Sequence, residues 1–393
     1  MPVYRIPIEL DLRPHPAHPA EVAVEVDLPL LAAHAGNKGP LALDRVGARF
    51  TDGRSVPAQC LHNREGAQVV LRLPADVAAQ DGALVALEVA TEEAAPAATS
   101  GAPRVVFSQE QDTVELRVDN ARFALYRYNT ADPELPRPYF HPIVGPTGVP
   151  ITQEGEIPGT KQAHFHHTGL VLAHQNFTEG NNWQIGPQHS RMRHLGFDVM
   201  QSGPLLGRFV QRLECLNVKG TRAVFRETRS VTVGARPPQR RYLDVDTTIT
   251  CGDEPATWNA TPYHLLAIRV PDAMTVAHGG AITNSEGQRN PADGIPARWL
   301  DFSGPLSGLC GVALFDHPQN LRHPTPWLNF ENETVGAAPT HREPYAWKPG
   351  GSLRFRYRVY LHEGDVEQGR VAEEYAAYTA AVKARIGAPS LIG

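Results

Sequence analysis

Apolar and polar residues alternate along this chain with a period of two far more often than with the helical period. Glu21-Val22-Ala23-Val24-Glu25-Val26 alternates in this way, and Ala67–Leu73 does so less strictly. A period of two sends successive side chains to opposite faces of a strand, so it marks a sheet with one buried face. Thr51-Asp52-Gly53-Arg54 is a hairpin signal, because Asp-Gly readily takes the positive φ angles of a tight turn. Residues 1–95 therefore predict a small N-terminal antiparallel β-sandwich. Residues 96–103, rich in Pro, Ala, Ser and Gly, form a linker by composition.

Strands resume at 104 and the second domain runs to 393. Val114, Leu116 and Val118 alternate with Glu115, Arg117 and Asp119, and Leu353, Phe355, Tyr357 and Val359 with Arg354, Arg356 and Arg358. The second pattern predicts a strand with one dry and one charged face. Further strands are predicted at 208–216, 222–233, 241–250, 263–270, 296–302 and 310–315. Helical spacing first appears over 365–386, where Val366, Val371, Tyr375, Tyr378 and Val382 predict one C-terminal helix. The expected fold is all-β: the small sandwich followed by a large antiparallel β-supersandwich.

Composition narrows the function classes. The chain has 393 residues and a formal net charge of −5, which gives no electrostatic footprint for nucleic acid or an anionic membrane. No stretch approaches the roughly 20 apolar residues that span a bilayer. Cys60, Cys215, Cys251 and Cys310 show neither metal spacing nor a disulfide framework, which fits buried thiols in a reducing compartment. Met1-Pro2-Val3-Tyr4-Arg5 lacks the layout of a signal peptide, so the expectation is a cytoplasmic protein. A homo-oligomer is left open. Gly-rich phosphate loops, the Gly-x-Ser-x-Gly elbow and His-Glu-x-x-His are all missing, so no nucleotide, serine-hydrolase or zincin chemistry is expected.

What remains is imidazole chemistry. Six of the 17 histidines lie between His164 and His194, with Asn181, Asn182 and Trp183 interleaved and His141 just before. Histidine titrates near neutrality and ligates metals, so such a density marks the floor of a polar pocket. On a strand, His164 and His166 share a face and could hold a divalent ion, with His174 or His194 as third ligand. No other cofactor is expected. A second concentration, Asp316-His317-Pro318-Gln319-Asn320-Leu321-Arg322-His323-Pro324-Thr325-Pro326-Trp327, is a loop after a strand, where binding groups collect. Its Trp327 could stack on a sugar while Asp316, His317, Arg322 and His323 make charge-assisted hydrogen bonds. Tyr263-His264 and Arg137-Pro138-Tyr139-Phe140-His141-Pro142 complete the candidates. The carboxylates Glu227, Asp244, Asp246 and Glu331 show no spacing that pairs them.

Arg137-Pro138-Tyr139-Phe140-His141-Pro142, His166-His167-x-Gly169-Leu170, Trp183, Asp316-His317-Pro318 and His323-Pro324-Thr325-x-Trp327 resemble a family of bacterial proteins labelled PmoA-like. Phe355-Arg356-Tyr357-Arg358 and His362-x-Gly364-Asp365 match that family's last strand. The label points to a methane monooxygenase subunit, which is an integral membrane protein; this chain has no spanning segment. The resemblance instead implies a galactose-mutarotase-like or polysaccharide-lyase supersandwich whose concave sheet presents His, Tyr, Arg and Trp to a sugar. The chain departs from the family's Asp-His-Pro-His-His-Arg-Gly at Ala163, Phe165 and Thr168.

The expected function is a carbohydrate-active enzyme that cleaves a glycosidic bond by elimination or hydrolysis. His166 or His167 would be the base and His264 or Tyr139 the acid. His141, His174, Trp183, His194, Asp316, His317, Arg322, His323 and Trp327 would bind the saccharide. A sugar epimerase or mutarotase and a non-catalytic carbohydrate-binding protein are the alternatives.

Overall fold

The computed structural model describes residues 3–11, 20–26, 41–63, 66–73, 83–91, 104–128, 136–155, 166–330, 333–380, 383–386 and 390–391. The linker expected at 96–103 lies outside them. The chain divides into two compact units, Met1–Val105 with Gln201–Arg208 and Glu373–Gly393, and Val106–Met200 with Phe209–Ala372. Among the described residues no helix is long and apolar enough to cross a membrane. All four cysteines are buried free thiols.

The first unit holds two antiparallel sheets. One runs Lys383–Ile386, Val3–Asp11, Ala83–Thr91, Leu41–Phe50, Ser55–Val56, with Ser390–Leu391 also on Val3–Asp11. The other is Ala20–Val26, Gly66–Leu73, Ala58–Asn63. The two alternating segments read in the sequence pair with each other, Ala20 opposite Leu73 through Val26 opposite Ala67. Gly53, at φ 88°, closes the expected hairpin turn with its N–H on the Phe50 carbonyl.

The C-terminal helix forms but is shorter than expected, Val371–Thr379. Lys383–Ile386 is instead a strand on Val3–Asp11, with Ile386 opposite Ile8 and Ala384 opposite Leu10. Lys383-Ala384-Arg385-Ile386 alternates polar and apolar, and its register sets Ala384 and Ile386 opposite the fully buried Leu10 and Ile8. That pairing outweighs a helix end with little left to bury. Residues from Glu373 onward consequently group with the N-terminal unit rather than with the large domain predicted at 104–393.

The second unit is built on two large antiparallel sheets. The nine-stranded sheet runs Ile295–Pro296, Pro326–Phe330, Thr334–Ala337, Leu266–Arg269, Leu170–Leu172, Tyr139–Ile143, Ala121–Arg127, Thr113–Val118, Val105–Gln109. The eight-stranded sheet runs Met192–Gln201, Leu206–Leu216, Ala223–Gly234, Arg240–Cys251, Ser352–Glu363, Leu309–Asp316, Trp299–Pro305, Ala281–Asn284. The sheets face each other through Tyr126, which packs on Phe209 at 5.0 Å and whose hydroxyl donates to Gln211 Oε1 at 2.5 Å.

Strand register decides which residues look inward. Phe140 pairs with Tyr126 and packs on its ring at 4.4 Å, so Phe140 faces the sandwich core. Leu170, Ile268 and Val335 follow it across the sheet. The neighbouring positions Tyr139, Val171, Ala267 and Gly336 form the adjacent rung and point to the opposite, outer face. Arg127, paired with Tyr139, shares that face, as does His141 two residues on.

Candidate active site

The outer face of the nine-stranded sheet collects most of the polar and aromatic groups singled out in the sequence. Tyr139, Val171, Ala173, Trp183 and Ala267 form one buried cluster, with Tyr263 packed against it. Trp183 is fully buried; its ring lies 5.4 Å from His264 and 5.9 Å from His167. His166 and His167 pack edge to face at 4.4 Å. Arg137 lies over the Trp183 ring at 5.8 Å and donates from Nη2 to the His166 carbonyl at 2.6 Å. His264 fits above Gly336, where a Cβ would come within 2.8 Å of its Cδ2.

The exposed end of this face carries the acid/base chemistry. The Tyr139 hydroxyl faces the Glu154 carboxylate; burial first and that carboxylate second push the phenol above its ordinary range. Glu154 Oε1 lies 3.8 Å from His141 Nε2 and 3.9 Å from Arg127 Nη2. His141 Nδ1 is 3.1 Å from Thr152 Oγ1, which also accepts the Ile143 N–H at 2.9 Å. Burial holds the His141 imidazole below its usual pKa against the pull of Glu154, so the ring is neutral at pH 7. Side-chain exposures of 18% for His141 and 32% for Glu154 leave both within reach of a ligand.

Behind them the backbone is locked. Arg269 donates from Nη1 to the carbonyls of Gly155, at 2.7 Å, and His167, at 3.2 Å, and pairs with Glu333 at 3.4 Å. It thus ties the Glu154 segment to the histidine segment. Gly169 closes the latter at φ 47°, and a Cβ there would lie 2.0 Å from the Phe140 carbonyl oxygen. Backbone cannot move aside as a side chain can, so Gly169→Ala is expected to cost at least about 1–3 kcal/mol of stability. Urea unfolding of the variant measures it.

Several expected site residues have other duties. His264 is buried with Nε2 on the Leu328 carbonyl at 3.1 Å, and burial lowers its pKa to about 3. Neutral at pH 7, it has no acidic proton to give, so it is not the acid. His167 is 1% exposed, with Nδ1 3.1 Å from Thr334 Oγ1 and 3.4 Å from Glu333 Oε1. With Nδ1 engaged by Thr334 and Glu333, it suits a positioning residue better than a base. His174 is stacked on Trp258 at 4.6 Å, with Nε2 at 2.9 Å from Thr340 Oγ1 and Nδ1 accepting the Asn176 N–H. Its pKa falls to about 3 by burial. His194 stands on the eight-stranded sheet, its Nδ1 2.8 Å from Gln211 Nε2. His174 has both nitrogens engaged and His194 stands on the other sheet, so neither completes a metal site with His166. His164 lies outside the described residues, among which no group of three or more His, Cys, Asp or Glu could hold a metal ion.

The second concentration is organised as a loop fold around Asp316. Its buried carboxylate accepts His323 Nδ1 at 2.7 Å, the Thr325 N–H at 2.9 Å and Asn320 Nδ2 at 2.7 Å. Arg322 spends its guanidinium on the carbonyls of Pro339, Glu343 and Pro344, at 2.7, 2.7 and 2.9 Å, so it is a loop clamp rather than a ligand group. His317 accepts the Gln319 N–H, and burial with the nearby Arg356 takes its pKa to about 4. Trp327 pairs with Ala337, which pairs with Leu266, so it lies on the core face of the sheet, opposite His264 and Trp183. It is buried with Nε1 on the Ala297 carbonyl at 2.7 Å and cannot stack on a sugar at the outer face.

Arg127, Thr152 and Glu154 carry no signal in the sequence, because strand register brings Arg127 to Tyr139 and a loop folded back on Ile143 and Arg269 brings Thr152 and Glu154 to His141. Arg137 carried a signal, standing between Pro136 and Pro138 ahead of an aromatic strand. Of the carboxylates, Glu227 is buried between the sheets, while Asp244 and Asp246 pair with Arg358 and Arg354. Glu331 lies outside the described residues.

Two solved structures from Enterococcus faecalis are similar in fold, a protein in the glycosyl hydrolase family 38 at 10% identity and an alpha-mannosidase at 11%, both with a TM-score of 0.45. The similarity covers 98% of this chain but 47% and 46% of those chains, so the chain spans about half their length. No curated protein matches the sequence. A family model matches residues 113–376, which contain the candidate site residues Arg127, Tyr139, His141 and Glu154, and the chain belongs to that family, DUF6807, a family of unknown function.

Proposed function

We propose that the protein is a carbohydrate-active enzyme that cleaves a glycosidic bond, with His141 as base and Tyr139 as acid. The observation that carries this reading is the grouping of a neutral imidazole, a protonated phenol, a carboxylate and a guanidinium at the exposed end of one sheet face. In this reading His141 Nδ1–H donates to Thr152 Oγ1, which leaves Nε2 bare to take a proton. Tyr139 delivers its proton to the leaving oxygen, and Glu154, facing both residues, holds the phenol and returns a proton to it from solvent. Arg127 Nη2, 3.9 Å from Glu154 Oε1, is the cation beside that carboxylate. Carboxylate-pair hydrolysis needs two carboxyl groups flanking the bond. The described residues around Tyr139 and His141 supply one, so an imidazole–phenol pair fits better.

The pH profile tests these roles. His141 works when neutral, and its pKa lies below the ordinary 6.5, so the rate should rise with pH and level off below that value. Tyr139 works when protonated, and its pKa is raised, so the fall should begin only above pH 10. Release of reducing ends from a panel of soluble polysaccharides identifies a substrate, and kcat against pH on it gives the profile. A descending limb between pH 6.5 and 8 would remove Tyr139 as the acid. A panel that binds but is never cleaved would favour the non-catalytic carbohydrate-binding protein.

A further inference from the structure

A buried arginine normally meets a carboxylate, because an unpaired charge out of water is costly. Arg137 breaks that rule. It is 2% exposed, and among the described residues neither Nε nor Nη1 has a hydrogen-bond partner. Its hydrogen bond is to the His166 carbonyl, and the Trp183 ring beneath it carries no charge. Other buried arginines of this chain are paired: Arg229 grips Glu227 through two bonds, and Arg358 grips Asp244 through two.

The neighbours of Arg137 show the same deficit. Among the described residues, Trp183 Nε1 is buried without a partner, and so is His264 Nδ1. His264 Nε2 lies on a carbonyl oxygen, which can only accept, so that nitrogen carries the proton and Nδ1 is a bare acceptor. Arg137 and His264, both packed on the Trp183 ring, together with that ring therefore offer unused guanidinium and indole N–H donors and one imidazole acceptor. Buried polar atoms in folded proteins are almost always satisfied, so a cluster of exceptions marks a place where something else binds.

We propose that Arg137 is the anion-binding residue of this site and that the saccharide it takes carries a carboxylate, as a uronic acid does. The inference rests on the acid/base reading above and narrows it. Arg137 lies close enough to Tyr139 for the two to interact electrostatically, and its half-exposed neighbour is His166. A carboxylate bound there would be neutralised by the guanidinium, which acidifies the C–H next to it. His141 Nε2 takes that proton, and the C–H electron pair becomes a C=C bond. The bond to the glycosidic oxygen breaks with its electrons, and the oxygen leaves with the Tyr139 proton. Water is not consumed, and the products are a new hydroxyl end and an unsaturated uronate.

Thermal unfolding of the full chain in sodium D-glucuronate and in D-glucose, at matched ionic strength, tests the inference. The two sugars differ only at the carboxyl-bearing carbon. Glucuronate should raise Tm by a few degrees at millimolar concentration where glucose does not, and Arg137→Met should abolish the difference. Without sugar, Arg137→Met should match or exceed the wild-type Tm, since it removes an unpaired buried charge. Equal shifts from the two sugars, no shift from glucuronate, a preference that survives in Arg137→Met, or a lower Tm for the sugar-free variant would each overturn the proposal. A Tyr139→Phe variant with full turnover but intact glucuronate preference would sink the acid/base reading alone. Turnover that depends on Tyr139 without any glucuronate preference would sink only the role of Arg137.

Discussion

Arg229→Ala is expected to destabilise the protein by about 3–5 kcal/mol, the usual result of removing one partner from a buried ion pair. Arg229 and Glu227 sit two residues apart on strand Ala223–Gly234, hence on one face, and that face looks into the sandwich. Arg229 Nε and Nη2 donate to the two Glu227 oxygens at 2.7 and 3.1 Å, and both side chains are at most 3% exposed. Thr247 Oγ1 donates to Glu227 Oε1 at 2.7 Å. Arg229 Nη1 reaches the Tyr126 hydroxyl at 3.3 Å, and through it the network crosses to the nine-stranded sheet. Removing the arginine leaves a carboxylate buried among Tyr126, Thr247 and apolar neighbours. The double variant Arg229→Met with Glu227→Leu should recover most of the loss, because the desolvation penalty goes with both charges. Urea unfolding of the three proteins measures this. A single-variant cost under about 1 kcal/mol, the range of exposed pairs, would show that the pair is not desolvated.

Tyr139→Phe is expected to lower kcat by about 10²–10⁴ while leaving Tm nearly unchanged. The ring keeps its place against Trp183, Val171 and Ala267, and only the hydroxyl facing Glu154 is lost. His141→Ala should cost kcat a similar factor and abolish the ascending limb of the pH profile. The two losses should not add in the double variant, because an acid and a base acting in one step fail together. Loss of affinity with unchanged kcat in both variants would mean that these groups bind the ligand and do no chemistry.

Much of the fold is readable in the alternation. The strand pairs of the small sandwich, the charged strand Ser352–Glu363 and most strands between 206 and 316 stand where the period of two puts them. The helix end was not readable, because Lys383–Ile386 satisfies either pattern and only the buried partners Ile8 and Leu10 decide it. The site is legible in part. Tyr139, His141, His166, His167, Trp183 and His264 do gather on one face. Trp327 fails for a reason of parity: a single rung of register puts it on the core face. Arg322 fails because a guanidinium that looks free in sequence can satisfy a turn of carbonyls instead. Glu154 and Arg127 are invisible beforehand, since Arg127 acquires meaning only when strand pairing sets it beside Tyr139, and Glu154 only when its loop folds back along the sheet.

The most direct test of the account is a crystal structure of Tyr139→Phe soaked with a saccharide that the wild-type protein turns over. The variant should trap the unreacted sugar, with its density on the outer face of the nine-stranded sheet. The scissile bond should lie between residue 139 and His141, near Glu154. Density at the Asp316–His323 loop, with the outer face of the sheet empty, would contradict the assignment of the site.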